Sequence, residues 1–194
     1  KKLGIPGETE YYARGVHYCA TCDGAFYRDK KIAVVGGGNS AVQEALFLTK
    51  FASSVDLLVR SDKFRASDVL LHELEKNDKI TVHMNTTTDE IVGNDQFVNK
   101  VIGTDKLANK KVEFDVDGVF IFIGLLPNTG FLNGKVELDE IGLIKTDDQL
   151  KTNIQGVFAA GDVRSGATMQ IASAVGEGAT AAMRIREYLD SLPK

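Results

Sequence analysis

One stretch of the chain, Lys31–Ala41, limits the possible folds more than any other. A β-branched apolar run, Ile32–Val35, leads into three consecutive glycines and then into a segment with helical spacing of apolar residues. Such runs are typical of strands buried in parallel sheets. Gly36, Gly38 and Ala41 match the pattern G-x-G-x-x-A, whose glycines allow a tight turn and a close backbone approach to a pyrophosphate at the helix N-terminus. The stretch favours a dinucleotide-binding turn over the alternative, a glycine-rich turn without a ligand.

The segments after this turn alternate between helix and strand patterns. In chain order, the patterns predict a helix at 41–50, a strand at 55–59, a helix at 67–77 and a strand at 80–84. This β-α-β-α-β series predicts a parallel sheet wound with right-handed connections. Turn residues then divide 86–114 into short segments, which predicts an antiparallel β-meander before a last strand at 118–123. The glycine and proline residues of 124–127 mark the best candidate for a domain boundary.

The two ends of the chain look different from this central part. Beyond the boundary, strand-like runs at 142–145 and 157–162 precede a long helix predicted at 168–192. At the start, the first regular strand is expected only at about Lys31, whereas an ordinary α/β protein opens with a strand. We therefore expect the chain to be cut from a longer protein.

The chain has only two cysteines, Cys19 and Cys22, with two residues between them. Thiols at this spacing can close a small disulfide ring that carries two electrons. Half of a zinc site and two core cysteines are the alternatives, but the three histidines form no second ligand pair of the usual spacing. Asp23 follows directly, either as a turn residue or as an acid placed to protonate a leaving thiolate. A redox dithiol beside a dinucleotide fold points to an oxidoreductase.

The residues after the second predicted strand distinguish between nicotinamide cofactors. NAD sites usually carry an acidic residue there, whereas NADP sites carry cations for the 2′-phosphate. Here Arg60 stands at that place, Ser61 follows, and Arg65 can close a clamp around a phosphate. The alternative is a solvated basic loop. The pattern favours NADP.

Charge and hydropathy exclude several other classes of protein. With 23 basic and 27 acidic residues, the net charge is −4, and no basic patch suits nucleic acid. No apolar run approaches the roughly 20 residues that span a bilayer, and the first residues do not resemble a signal peptide. We expect a cytoplasmic protein without nucleic-acid or membrane partners, whose cysteines are catalytic or metal-binding.

Four motifs taken together resemble one family. Cys-Ala-Thr-Cys-Asp-Gly, Val-Val-Gly-Gly-Gly-Asn-Ser-Ala, Asp-Lys-Phe-Arg-Ala and Gly-Val-Phe-Ala-Ala-Gly-Asp-Val occur in the order and near the spacing of the bacterial-type, low-molecular-weight thioredoxin reductases. The resemblance implies an α/β fold in which a Rossmann-like NADPH domain with an antiparallel meander, residues 16–124, is inserted into a discontinuous FAD domain. Residues 1–15 and 125–194 would be remnants of that FAD domain, whose N-terminal half is missing.

The resemblance also implies roles for individual residues. Cys22 would face the flavin, Cys19 would attack the disulfide of thioredoxin or a thioredoxin-like protein, and Asp23 would act as the acid. The nucleotide contacts it implies, to NADPH and then to FAD, are Gly36, Gly38, Asn39, Ser40, Ala41, Arg60, Ser61 and Arg65, followed by Gly161, Asp162, Gln170 and Ile171. The full-length protein would be a homodimer without a metal site.

Departures from the family leave alternatives open. Val59-Arg60-Ser61 stands where many members have His-Arg-Arg, and Met169 stands where an arginine is common. A related flavoprotein that serves a peroxiredoxin, or one that uses ferredoxin, shares the dithiol. A nucleotide-binding module without turnover is the alternative from a different class. Because the first FAD half-site is missing, we expect this chain alone to be inactive with NADPH and thioredoxin.

Overall fold

The computed structural model describes residues 1–193, which form two compact units, Lys1–Gly124 and 125–193. In chain order the strands and helices of the first unit are β1 (Val16–His17), α1 (Ala20–Asp23), β2 (Lys31–Val35), α2 (Asn39–Leu48), β3 (Ser54–Leu58), α3 (Asp68–Glu75), β4 (Ile80–His83), β5 (Thr86–Gly93), β6 (Val98–Asp105), β7 (Lys110–Asp115) and β8 (Gly118–Ile121). Residues 1–15 lie within this unit, and the cofactor that each unit serves stays a prediction.

Five strands of the first unit form a parallel sheet in the order β1-β8-β2-β3-β4. The predicted winding of strands and helices is confirmed, since β2, β3 and β4 alternate with α2 and α3. The expectation that no regular strand precedes Lys31 is wrong, because Val16 and His17 pair with Val119 and Phe120 of β8. Two residues are too few to show a strand pattern in a sequence.

The three remaining strands form the predicted meander, an antiparallel sheet in the order β5-β6-β7. This second sheet explains why β2 is apolar at successive positions. Ile32 and Val34 pack in the core that includes α2, whereas Ala33 and Val35 pack with residues of β5 and β6. Since successive side chains of a strand point to opposite faces, both faces of β2 are buried.

The second unit contains one long helix, α4 (Ile171–Asp190), and a small core of Val136, Ile144 and Ala159. The predicted strands at 142–145 and 157–162 are wrong as regular strands. Within 125–193 the structure has isolated bridges in their place, such as those of Ile144 with Leu138 and Arg164. Glycines with positive φ interrupt or flank these segments, so the chain turns before a ladder extends. In residues 1–193, no helix is both long enough and apolar enough to cross a bilayer.

Candidate functional site

The two cysteines form a disulfide within one turn of chain. Cys19 is the N-cap of α1 in extended conformation, and its Sγ accepts a hydrogen bond from the backbone N–H of Cys22 at 3.1 Å. The turn brings the two Cα atoms to 5.4 Å, and the Cys19–Cys22 bond is closed, as the spacing predicts. Cys19 is half-buried and Cys22 is exposed. Within residues 1–193, no group of three or more His, Cys, Asp and Glu side chains could hold a metal ion.

Short contacts link three polar side chains, those of His17, Tyr27 and Asp23, the last of which directly follows Cys22. His17 Nδ1 is 3.1 Å from Asp23 Oδ2, and His17 Nε2 is 2.7 Å from the hydroxyl of Tyr27. The imidazole also stacks on Phe120, with ring centroids 5.2 Å apart. His17 and Tyr27 are buried, while Asp23 is partly exposed. Asp23, which the family resemblance names as an acid, is therefore held by His17, one of the three histidines that the sequence analysis considered only in weighing a zinc site.

Burial is the main cause of the pKa shifts of His17 and Tyr27. Loss of water lowers the pKa of His17 from its ordinary value, and the neighbouring Asp23 carboxylate only partly opposes that shift. Burial, with Asp23 and Asp117 nearby, raises the pKa of Tyr27 to about 12. Tyr27 therefore keeps its proton, and His17 favours the neutral form near neutral pH.

The segment before the disulfide is fixed by a buried acid, Glu8. Its carboxylate accepts from the backbone N–H groups of Leu3 and Gly4 at 2.8 and 2.7 Å and from the Tyr18 hydroxyl at 2.8 Å. Burial opposes ionisation, but these three hydrogen bonds and the positive charge of Lys2 together outweigh it and lower the pKa of Glu8. Since Tyr18 directly precedes Cys19, Glu8 anchors the chain that enters the redox turn.

The glycine turn joins β2 to α2, as predicted. Gly36 has φ of +145°, and a Cβ there would overlap the carbonyl oxygen of Phe122 and lie 2.7 Å from the Cβ of the buried Ala41. Gly38 is the N-cap of α2, and a Cβ there would meet nothing within 4 Å. The turn thus needs Gly36 for its own geometry, whereas the lack of a side chain at Gly38 leaves open space in front of a ten-residue helix. Open space at a helix N-terminus is, in general, suited to an anion such as phosphate.

The other predicted residues of the turn have separate structural contacts. The Asn39 side-chain oxygen accepts from the backbone N–H of Ser67 at 2.8 Å, and Ser40 is exposed. The backbone N–H of Arg65 donates to the carbonyl oxygen of Gly37 at 2.7 Å. The structure therefore brings Arg65 next to the glycine turn, although the two are far apart in sequence.

A cleft at the ends of β3 and β4 contains the other predicted cation. Arg60, Ser61, Asp62, Asn85, Thr87, Lys106 and Leu107 line it. Lys106, from the turn between β6 and β7, donates through Nζ to the carbonyl oxygen of Arg60 at 3.1 Å. Backbone hydrogen bonds from Asn85 to Ser61 and from Lys106 to Asn85 tie the three loops together. Sequence reasoning missed Lys106, because only the pairing of the meander reveals its place.

The four candidate flavin residues lie in the second unit. Gly161 has φ of +78° and donates its backbone N–H to Glu177 at 2.8 Å, and Glu177 also pairs with Arg164. Asp162 is exposed, and Gln170 and Ile171 stand at the start of α4, with Ile171 86% exposed. Arg164 and Glu177 are contacts that no sequence motif indicated.

Comparisons with known proteins assign the chain to a family. Residues 1–178 match the family described as pyridine nucleotide-disulphide oxidoreductase. A curated thioredoxin reductase of Bacillus subtilis (strain 168) is 43% identical over 192 residues, which are 99% of this chain and 61% of that protein. The chain thus spans about three fifths of the length of this relative.

The chain also matches solved structures of thioredoxin reductases. A thioredoxin reductase from Streptococcus pyogenes MGAS5005 matches with a TM-score of 0.93 at 44% identity, over 99% of this chain and 63% of that one. A ferredoxin-flavin thioredoxin reductase from Clostridium acetobutylicum matches with a TM-score of 0.52 at 31% identity, over 99% and 61%. The resemblance drawn from the four sequence motifs is confirmed.

Proposed function

We propose a function for this chain, which belongs to the pyridine nucleotide-disulphide oxidoreductase family. It is the part of an NADPH-dependent thioredoxin reductase that carries the dithiol and the nucleotide turn. One observation carries the proposal. The Cys19–Cys22 disulfide directly precedes Asp23 in the sequence and lies in the same compact unit as the open glycine turn. The partner would be the disulfide of thioredoxin or of a thioredoxin-like protein.

The chemistry of the dithiol follows from its surroundings. After reduction, the Cys22 backbone N–H that now donates to Cys19 Sγ would stabilise a Cys19 thiolate, which favours Cys19 as the nucleophile. Its sulfur attacks the partner disulfide, so that one Cys19–partner bond forms and the partner S–S bond breaks. Cys22 then attacks Cys19 Sγ, re-forms the intramolecular disulfide and releases the second partner thiolate. Two electrons leave the dithiol, and its two protons end on the two partner thiols, passed through Asp23.

The residues of the first unit fit a nicotinamide dinucleotide. The open space at Gly38 lies before the uncapped N-terminus of α2 and suits a pyrophosphate. Arg60 and Lys106 supply positive charge to the cleft and outnumber the carboxylate of Asp62 there, and Arg65 lies by the turn. This excess of cations supports NADPH over NADH. When bound, the nicotinamide supplies a hydride.

The second unit offers part of a flavin site. Asp162 presents an exposed carboxylate, which suits the hydroxyl groups of a ribityl chain, and Gln170 and Ile171 start a 20-residue helix. FAD held there would supply two-electron redox chemistry between the nicotinamide and the disulfide. We further propose that the whole protein is a cytoplasmic homodimer.

The proposal is tested in two independent assays on this chain. Calorimetric titration should detect NADPH binding that is tighter than NADH binding. Separately, the chain reduced by dithiothreitol should transfer its electrons to oxidised thioredoxin in a single turnover, whereas the chain with Cys19→Ser and Cys22→Ser should not. Failure of both assays would contradict the proposal. Steady oxidation of NADPH is not expected from this chain with added FAD.

A second candidate is a ferredoxin-dependent reductase, favoured by the likeness to the Clostridium acetobutylicum protein. The nucleotide titration separates the two candidates. Absence of NADPH binding together with intact dithiol exchange would support the ferredoxin-type alternative.

A further inference from the structure

The side chains of Tyr27, His17 and Asp23 are linked by hydrogen bonds whose donors and acceptors can be assigned. The raised pKa keeps the Tyr27 hydroxyl protonated, and at 2.7 Å it can donate to His17 Nε2. The ring proton then lies on Nδ1, which points at Asp23 Oδ2 from 3.1 Å. This tautomer satisfies all three groups, whereas the other would set a bare Nδ1 against a carboxylate.

Packing fixes the imidazole in this orientation. His17 lies in β1, whose pairing with β8 places the ring against Phe120 and Tyr27, with centroids 5.2 and 5.3 Å away. The other charged groups near these three side chains act on Tyr27. Asp117 raises its pKa, and Lys30 Nζ lies 5.6 Å from the centre of its ring. Asp23 is therefore the one charged side chain that pairs with the ring of His17 among the described residues.

We propose that His17 is a positioning residue for disulfide exchange, which holds the Asp23 carboxyl through Oδ2 so that Oδ1 can pass protons between sulfurs. The proposal rests on the proposed function. The step that His17 serves is the release of each partner thiolate. Asp23 first receives a proton from the thiol of Cys19 or Cys22, and the leaving thiolate then takes that proton from Asp23. No further oxidant or reductant is involved, since the dithiol is oxidised as the partner disulfide is reduced.

If His17 has this role, the effect of disturbing Asp23 on the rate of exchange depends on the basicity of the leaving thiolate. A partner thiol of ordinary basicity leaves faster when an acid protonates it, whereas a thiolate of low basicity leaves without help. Disturbing Asp23 should therefore slow exchange with glutathione disulfide but hardly affect exchange with the aromatic disulfide dithiobis(nitrobenzoate). A purely structural defect at His17 would slow both.

A matched pair of variants isolates the bond to Asp23. In His17→Asn the amide nitrogen falls near the place of Nδ1 and can still donate to Asp23. In His17→Gln the amide falls near the place of Nε2, so the contact to Tyr27 is kept and the one to Asp23 is lost. Single-turnover rates of the reduced chain with the two disulfides are compared across about pH 5 to 8.

We expect His17→Gln to react with glutathione disulfide roughly 10- to 100-fold more slowly than wild type and with the aromatic disulfide within about twofold. His17→Asn should stay within about threefold for both, and the pH dependence of the ratio of the two rates should flatten only in His17→Gln. If His17→Gln does not fold, His17→Phe, which keeps the stacking on Phe120, replaces it with the same expectation.

Other outcomes overturn the proposal in distinguishable ways. Equal slowing with both disulfides, or equal rates in the Asn and Gln variants, would refute the role of His17. A wild-type chain that reacts with neither disulfide would instead refute the proposed function.

Discussion

The glycine turn allows its structural and its binding requirement to be measured separately, at Gly36 and Gly38. In Gly36→Ala, the new methyl group would overlap the Phe122 carbonyl oxygen at a residue whose φ of +145° disfavours any side chain. Backbone strain costs about 1–3 kcal/mol, and displacing packed neighbours costs about as much again. We therefore expect Gly36→Ala to lose about 2–6 kcal/mol of unfolding free energy.

Gly38→Ala should behave in the opposite way. Its φ of −102° is ordinary for alanine, and the added methyl meets nothing within 4 Å, so only about 1 kcal/mol of stability should be lost at this N-cap. The methyl group does, however, fill the space in front of α2. Losing a single charge-assisted bond to phosphate, worth about 1.5–3 kcal/mol, weakens NADPH binding roughly 10- to 100-fold.

Thermal unfolding by circular dichroism and calorimetric titration with NADPH measure these two effects. Gly36→Ala should lower Tm by at least about 8 °C, and Gly38→Ala by no more than about 5 °C. Gly130→Ala is the control, because its methyl group also meets nothing within 4 Å but lies in the second unit. Wild-type NADPH affinity in Gly38→Ala, or wild-type stability in Gly36→Ala, would refute the reasoning.

Three further predictions concern charge and redox state. Titration of thiols before and after mild reduction should reveal two new thiols, and stoichiometric zinc in the purified protein would contradict the reversible disulfide. Replacing Arg60 and Arg65 by alanine should weaken NADPH far more than NADH, and Lys106→Ala alone should weaken NADPH about tenfold; equal losses for both nucleotides would exclude a role for these cations in reading the 2′-phosphate. The pKa of Glu8 is lowered on folding from its ordinary value of 4.5, so its contribution to stability is complete above that value and is lost as the pH falls through the folded-state pKa. Urea midpoints should therefore fall less between neutral and acidic pH in Glu8→Gln than in wild type, and identical pH dependence would contradict this assignment.

Local patterns predicted most of the first unit. The parallel sheet, its helices and the meander follow from apolar periodicity and turn residues, which act over a few positions. The N-cap role of Gly38 and the closing of Cys19 onto Cys22 are equally local.

Contacts between distant residues could not be predicted in this way. Lys106 reaches Arg60 only because β6 and β7 form a hairpin that brings their turn to the loop after β3. His17 meets Phe120 only through the pairing of the short β1 with β8. In the second unit, the apolar content of 142–145 and 157–162 suggested strands, but turns at glycines prevent ladders from forming.

The two buried faces of β2 have a consequence for how this family can vary. Ile32 and Val34 share one core with α2, and Ala33 and Val35 share another with the meander. Natural variation at alternate positions of one strand should therefore be correlated with two different sets of partners. In a deep alignment, changes at Ile32 and Val34 should covary with the helices, and changes at Ala33 and Val35 with β5 and β6. A one-residue insertion in β2 would exchange these two sets of constraints and so should be absent among functional relatives.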